Sequence, residues 1–350
     1  MNGFSKSWRV IIACMMAVCM AALAGCGASK SASGGDSGGV AKGGKVELKL
    51  AYHLPVDHHL SKSIEKFAKT VTERSKGEIT ITTYPAGQLY TDKSMNDAIM
   101  SGGLDMGLNS TAMWTTVIPA LNVLDVPFLL PNYDSVAKAI DGGLGKTLGD
   151  EMEKKGVHPL IWADYGFIQF TNNTRPITKP DDFKGLQIRG YGQIPAETIK
   201  ALGGSPVTMG AAEVYTAIQR GTIDGQTSGQ TAMFSRKIYE VSKYLTVTNH
   251  AFCEFVLAVN KAKWDSLTPD QKKLVEGVAN EIRDEIRKET KGEDETSLKK
   301  LKENGMEVYE VPQGEVKLWQ DATASVREDF IKANGDIGKK VVDECLAASK

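Results

Sequence analysis

The sequence predicts an α/β protein of two lobes spanned by a single long helix. Three observations carry that prediction. Strand-like runs alternate with helical stretches, as right-handed βαβ units require. These units fall into two sets, one from Val46 to Asn109 and one from His158 to Thr248. A nearly uninterrupted helical stretch of about 36 residues then runs to Asn304, and at ~1.5 Å per residue it exceeds about 50 Å, more than one lobe of this size spans.

The elements follow in order. Val46–Tyr52 alternates as a strand does, and Ile64, Phe67, Ala68 and Val71 then recur at helical spacing. Ile79–Tyr84 reads as a second strand, Asp92 as the N-cap of a short helix through Met100, and Met106–Asn109 as a third strand. The expected sheet is largely parallel, with ligands bound outside the carboxyl ends of its strands. In the second set, Pro159–Ala163, Leu186–Arg189 and Phe252–Val259 are strand candidates. Thr268-Pro269-Asp270-Gln271 opens the long helix with a capping box and a proline at its first position. Gly277 and Gly292 are candidate bends.

The 350 residues, 41% apolar and 24% charged, suit an ordinary globular protein with an ample core. The 42 basic residues nearly cancel the 43 acidic ones, so no global field favours nucleic acid. Lys6 and Arg9 precede a charge-free apolar run from Val10 to Ala24, the layout of a secretory signal. The run is shorter than the ~20 residues of a membrane-spanning helix. It closes with Leu23-Ala24-Gly25-Cys26, which resembles a bacterial lipobox and marks Cys26 for acylation after removal of residues 1–25. Residues 26–44, mostly Gly, Ser, Ala and Lys, read as a flexible tether. Cys253 and Cys345 then remain, and two isolated cysteines without framework spacing predict no disulfide.

Three motifs invite other functions. Gly145-Lys146-Thr147 ends like a phosphate-binding loop, but the Gly required five residues earlier is Ile140, and the segment reads as a helix-to-helix turn. His53, His58 and His59 suggest metal capture, yet no Cys or carboxylate cluster completes a site, and His59 falls at the start of a helix expected to face solvent. No nucleophile elbow or paired-carboxylate pattern supports an enzyme, and no cofactor is indicated. His53 ends the first strand, where a parallel sheet puts its ligand loops. Arg189 ends the strand Gly185–Arg189. Its fork of donors suits a carboxylate or sulfonate, although periodicity alone favours an edge arginine paired to a surface acid.

Tyr84-Pro85-Ala86-Gly87-Gln88-Leu89, Gly103-Leu104-Asp105-Met106, Phe183-Lys184-Gly185-Leu186-Gln187-Ile188-Arg189 and the run Glu213–Gln226 around Asp224-Gly225 stand in order along the chain. Together they resemble the DctP family, the solute-binding components of tripartite ATP-independent periplasmic (TRAP) transporters. The resemblance extends from Val46 to the C-terminus and includes Thr248-Asn249-His250 as a turn. It implies a two-lobed periplasmic-binding-protein-like fold with a hinge, lobe I at 45–167 plus 255–293 and lobe II at 168–254 plus 294–350. It also implies capture of a small organic anion by lobe closure, and delivery to the small and large membrane subunits of a permease.

The resemblance places the family's carboxylate-clamping arginine at Arg189. Where sialic-acid-binding members carry a second arginine, an asparagine, an acid and a further arginine, this chain has Gln169, Ser228, Ser110 and Met113. Those losses disfavour a polyhydroxylated nine-carbon acid, because each buried group left unpaired costs ~1–3 kcal/mol. With Trp114 beside Met113 and Met209 across the cleft, each equally readable as lobe core, the expected ligand is a smaller anion with one clamped acid group. Short hydroxy or keto acids, aromatic acids and alkyl sulfonates fit that description. The alternatives are a sensor subunit presenting a ligand-closed shape to a receptor, a two-lobed enzyme and a metal-capture protein.

Overall fold

The computed structural model describes residues 44–350, so the signal segment, Cys26 and most of the tether lie outside the described residues. The strands are β1 (Val46–Tyr52), β2 (Ile79–Tyr84), β3 (Met106–Ser110), β4 (Val157–Asn172), β5 (Gln187–Gly190), β6 (Ser205–Thr208), β7 (Gly225–Gly229), β8 (Tyr244–Asn260) and β9 (Glu307–Glu310). The helices are α1 (His59–Arg74), α2 (Met95–Met100), α3 (Tyr133–Asp141), α4 (Gly143–Glu153), α5 (Gln193–Ala201), α6 (Val214–Gln219), α7 (Gln230–Ser235), α8 (Lys261–Asp265), α9 (Pro269–Glu303) and α10 (Val316–Ala348).

All nine strands join one mixed sheet in the order β2-β1-β3-β8-β4-β7-β5-β6, with β9 alongside β8. At one end β1 lies parallel to β2 and β3, and at the other β5 lies parallel to β6 and β7. Between them β4 and β8 are antiparallel to each other and to their other neighbours β7 and β3. The largely parallel sheet expected from the βαβ pattern therefore exists only within each half. Two strands of 16 and 17 residues, buried along most of their length and longer than the usual five or six residues, connect the halves. The segment Thr248-Asn249-His250, expected as a turn, lies inside β8. It is an irregularity there, with Asn249 at φ 45°, and the β4–β8 register shifts opposite it, between Ile168 and Phe170.

The long helix forms as its capping signal requires. Thr268 accepts from the Gln271 amide, and the Gln271 side chain accepts from the Thr268 amide. Its buried positions Val275, Val278, Ala279, Ile282 and Ile286 share a core with Leu60, Ile64, Phe67 and Val71 of α1 and with β1, β4 and β8. Asp92 does not cap α2. Ser94 stands at that position, and Asp92 is buried elsewhere, as described below. His59 does not face solvent, because α1 lies against the sheet and puts the ring, 8% exposed, beside β4 with Nε2 3.2 Å from the Asp164 carbonyl oxygen.

Where β4 passes from one half to the other, Gly166 has φ 122°, and a Cβ there would lie 2.5 Å from Asp294 Oδ2 of α9. Gly166→Ala combines a backbone strain of ~1–3 kcal/mol with that clash. It is expected to lower the unfolding free energy in urea by at least about 2 kcal/mol, whereas Gly277→Ala, which meets nothing within 4 Å, is expected not to lower it.

Candidate functional site

The carboxyl ends of the parallel strands converge on a cavity of about 500 Å³ of space between protein atoms, counted out to its mouth. His53 enters just beyond β1, Ser110 at the end of β3 and Met113 from the turn after it. Arg189 enters from β5, Tyr191 from just past its end, and Gln226 and Ser228 from β7. The central strands supply Tyr165, Ile168, Cys253 and Phe255, and Arg236 enters from the C-terminal end of α7.

Arg189 is 4% exposed. Its Nε donates to the Met209 carbonyl oxygen at 3.2 Å, and its guanidinium lies 5.6 Å from the centre of the Tyr191 ring. Burial pushes its pKa down to about 10, opposed by Asp92 and Tyr165 and reinforced by Arg236. Arg236 donates through Nη2 to the His53 carbonyl oxygen at 3.3 Å and is likewise lowered by burial. Among the described residues neither guanidinium has a carboxylate within salt-bridge distance, although 21 such pairs form elsewhere.

The one carboxylate lining the cavity is Asp92. Its Oδ2 accepts from the Ala211 amide at 3.1 Å and its Oδ1 from the Lys93 amide at 3.1 Å. His53 stacks on Phe255, and burial holds its pKa down at about 4, with Asp92 opposing and both arginines assisting. It is therefore neutral at pH 7 and adds no charge. His53 Nδ1 and Ser110 Oγ are buried without hydrogen-bond partners. The cavity thus holds two cations against one anion, with two unpaired polar atoms and an apolar wall of Met113, Ile168 and Phe255. Such an arrangement receives an anion. The Ser228 hydroxyl meets the Tyr165 hydroxyl at 3.1 Å, and burial holds the Cys253 thiol neutral. The Tyr191 hydroxyl donates to Asp125 Oδ1 at 2.6 Å, behind the cavity wall.

Of the residues singled out in the sequence, His53, Ser110, Met113, Arg189 and Ser228 line this cavity, while Gln169, Trp114 and Met209 do not. Gln169 is fully buried behind it, where Oε1 accepts from the Thr248 and Asn249 amides at 2.7 and 2.9 Å and so holds the irregularity in β8. Trp114 is fully buried in the core around α3 and α4. Met209 offers Arg189 its carbonyl, while its side chain packs with Val214 and Ile218. Arg236, Asp92, Tyr165, Tyr191 and Gln226 were missed. Gln226 directly follows the Asp224-Gly225 pair and was open to detection, but Arg236 ends a six-residue helix with no periodicity to reveal it.

Of the histidine cluster, His53 lines the cavity, while His58 and His59 make contacts within the fold. His58 caps α1 through Nδ1, and its Nε2 lies 3.2 Å from the Thr231 hydroxyl. Among the described residues no group of three or more His, Cys, Asp or Glu is placed to hold a metal. Cys253 and Cys345 are buried free thiols in different core clusters.

Residues 50–334 match the family model of bacterial extracellular solute-binding proteins, family 7, the DctP family. The chain belongs to this family. It is 31% identical to the C4-dicarboxylate-binding periplasmic protein DctP of Rhodobacter capsulatus, over 83% of this chain and 88% of that one. It is 32% identical to the 2,3-diketo-L-gulonate-binding periplasmic protein YiaO of Escherichia coli, over 85% and 91%. Among solved structures, a TRAP periplasmic solute-binding protein from a Sulfitobacter species with bound β-D-galacturonate superposes with TM-score 0.82 at 28% identity, covering 86% of this chain and 99% of that one. The match supports the α/β two-lobed fold of this DctP-family chain, whose relatives are substrate-binding transport proteins.

Because the two guanidiniums repel each other in a desolvated cavity, Arg189→Met is expected to leave the ligand-free protein as stable as the parent, or more stable by about 1 kcal/mol. Thermal unfolding without solute checks this, and a loss of stability would show that the arginine holds the fold.

Proposed function

We propose that this protein captures a small organic acid anion by closing two lobes, 45–167 plus 255–293 and 168–254 plus 294–350, and delivers it to the membrane subunits of a TRAP transporter. The observation that carries this reading is the pair of guanidiniums, Arg189 and Arg236, in a cavity with too little negative charge to neutralise them. Arg189 offers the solute the two terminal nitrogens it does not spend on Met209, and a carboxylate accepts from both in parallel. Each such charge-assisted bond contributes ~1.5–3 kcal/mol. His53 Nδ1, Ser110 and Ser228 take the solute's remaining polar groups, and Met113 and Phe255 cover its carbon face. Gln169, Trp114 and Met209 act from behind the wall, by holding its shape.

Arg236 alters the expected solute. A second cation accommodates a second acid group or a row of hydroxyls, so the range extends from short hydroxy acids to dicarboxylates and sugar acids. This agrees with solved relatives that hold succinate, galacturonate and galactonate. We further infer that Cys26 is acylated after signal cleavage and that the tether then holds the protein near a membrane. Cys26→Ser is expected to release it into the soluble fraction.

The test of the function is thermal unfolding against a panel of carboxylates, sulfonates, neutral sugars, amino acids and zinc. An acid at 100 times its Kd is expected to add about 2.7 kcal/mol of stability. Arg189→Lys keeps the charge but loses the fork, and is expected to weaken that acid at least about tenfold. A shift with neutral sugars or zinc alone would overturn the reading.

A further inference from the structure

A second group of titratable side chains lies where β4 passes from one half of the sheet to the other, outside the cavity. Asp164 of β4 and Glu254 of β8 are direct partners across the ladder, 1% and 0% exposed, and none of their four carboxylate oxygens has a hydrogen-bond partner. One cation serves them. Arg287 of α9 has Nε 3.6 Å from Asp164 Oδ1, but it spends Nη1 on Asp141 at the end of α3. Two turns along α9, Asp294 clasps the crossing itself. Its Oδ2 accepts from the Tyr133 hydroxyl at 2.6 Å and from the Phe167 amide at 3.3 Å, while Oδ1 is buried and unpaired. Glu293 and Glu295 flank it, and His59 of α1 lies against the Asp164 carbonyl with its ring held neutral by burial.

Asp164 and Glu254 share one arginine that is already paired with Asp141, and Asp294 sits buried among acids, which is more negative charge than these dry positions support. Burial is the largest cause in each case, pushing Asp164 up to about 6, Asp294 up to about 7 and Glu254 well above the usual range. The site adjoins the strand positions that line the cavity, because Tyr165 follows Asp164 and Cys253 and Phe255 flank Glu254.

We propose that Asp164, Glu254 and Asp294 form a proton-binding site at the crossing of β4 and β8, and that its protonation favours the conformation in which the two halves of the sheet are closed. The direction follows from burial. Any opening that admits water to the crossing lets these carboxyls ionise, so raising the pH favours it, by up to a factor of ten in the open-to-closed ratio per proton and pH unit. Of the groups at the cavity, His53 is lowered to about 4 and Arg189 to about 10, outside this window, whereas Asp125, which accepts from the Tyr191 hydroxyl behind the cavity wall, is raised by burial to about 7 and is left intact by the variant that tests the site.

Small-angle scattering of the solute-free protein at pH 5.5 and pH 8 reads the closure, and Glu254→Gln with Asp164→Asn fixes the site in its neutral form. The expected result is a larger radius of gyration at pH 8 in the parent and the smaller value at both pH values in the variant. An unchanged radius in the parent, or a variant that still expands, would overturn the proposal. Thermal unfolding supplies a second reading. A raised carboxyl stabilises the fold fully below its unfolded value near 4 and loses that contribution as pH rises through its folded value. The same variant, and Asp294→Asn separately, should therefore gain on the parent as the pH rises, with a larger advantage at pH 8 than at pH 5. Equal differences at both pH values would contradict the site.

Discussion

The antiparallel ladder of β4 and β8 is the constraint on which the other features depend. Each half of the sheet is a small parallel unit whose ligand-facing loops lie at the carboxyl ends of its strands. Neither half closes a cavity by itself. Because the two long strands run through both halves, they bring the end of β1 and β3 to face the ends of β5 and β7, and they supply the wall between them from Tyr165, Ile168, Cys253 and Phe255. The price is irregular backbone where the ladder changes halves. Gly166 adopts a left-handed conformation there, Asn249 does the same on the facing strand, and Asp294 and Gln169 supply the acceptors that regular pairing leaves open.

Electrostatics then turns the geometry into selectivity. A guanidinium taken out of water is tolerated when an opposite charge meets it, and elsewhere in this protein arginines find acids, as Arg74 does with Glu281 and Arg287 with Asp141. In the cavity Arg189 and Arg236 instead donate only to carbonyl oxygens. Asp92 offsets part of their charge, but its oxygens accept from the Lys93 and Ala211 amides. Ala211 follows β6 and Asp92 precedes α2, so that bond links the two halves at the cavity's edge. On the proposed function, the missing negative charge is the solute's to supply, and its entry would strengthen the bonds around it by excluding water.

Much of the architecture was legible because it follows from local periodicity. The alternation of Val46–Tyr52, the helical spacing of Ile64 to Val71 and the capping box at Thr268 each fix an element without reference to the rest of the chain. The β4–β8 ladder was not legible. Its strands are apolar along most of their length, which hides the alternation, and the Thr248–His250 irregularity reads as a turn. The site was legible where strand ends reveal it, as with His53 and Arg189, while Ser110, Met113 and Ser228 came from correspondence to family positions. Arg236 and Asp92 reach the cavity from a short helix's end and a loop, and no one-dimensional pattern predicts where such residues point. Gln169 was placed by correspondence to an arginine, yet its side chain turns to the backbone of β8, because an amide can satisfy both donors and acceptors there.

The central claim is that the cavity requires an anion. It is tested most directly by mass spectrometry of the small molecules released on denaturing the protein after equilibration with an equimolar mixture of organic acids, neutral sugars, amino acids and metal ions. One carboxylate or sulfonate per protein, absent from Arg189→Met, is the result expected. Equimolar retention of a neutral or cationic solute, or an acid retained undiminished by Arg189→Met, would contradict the account.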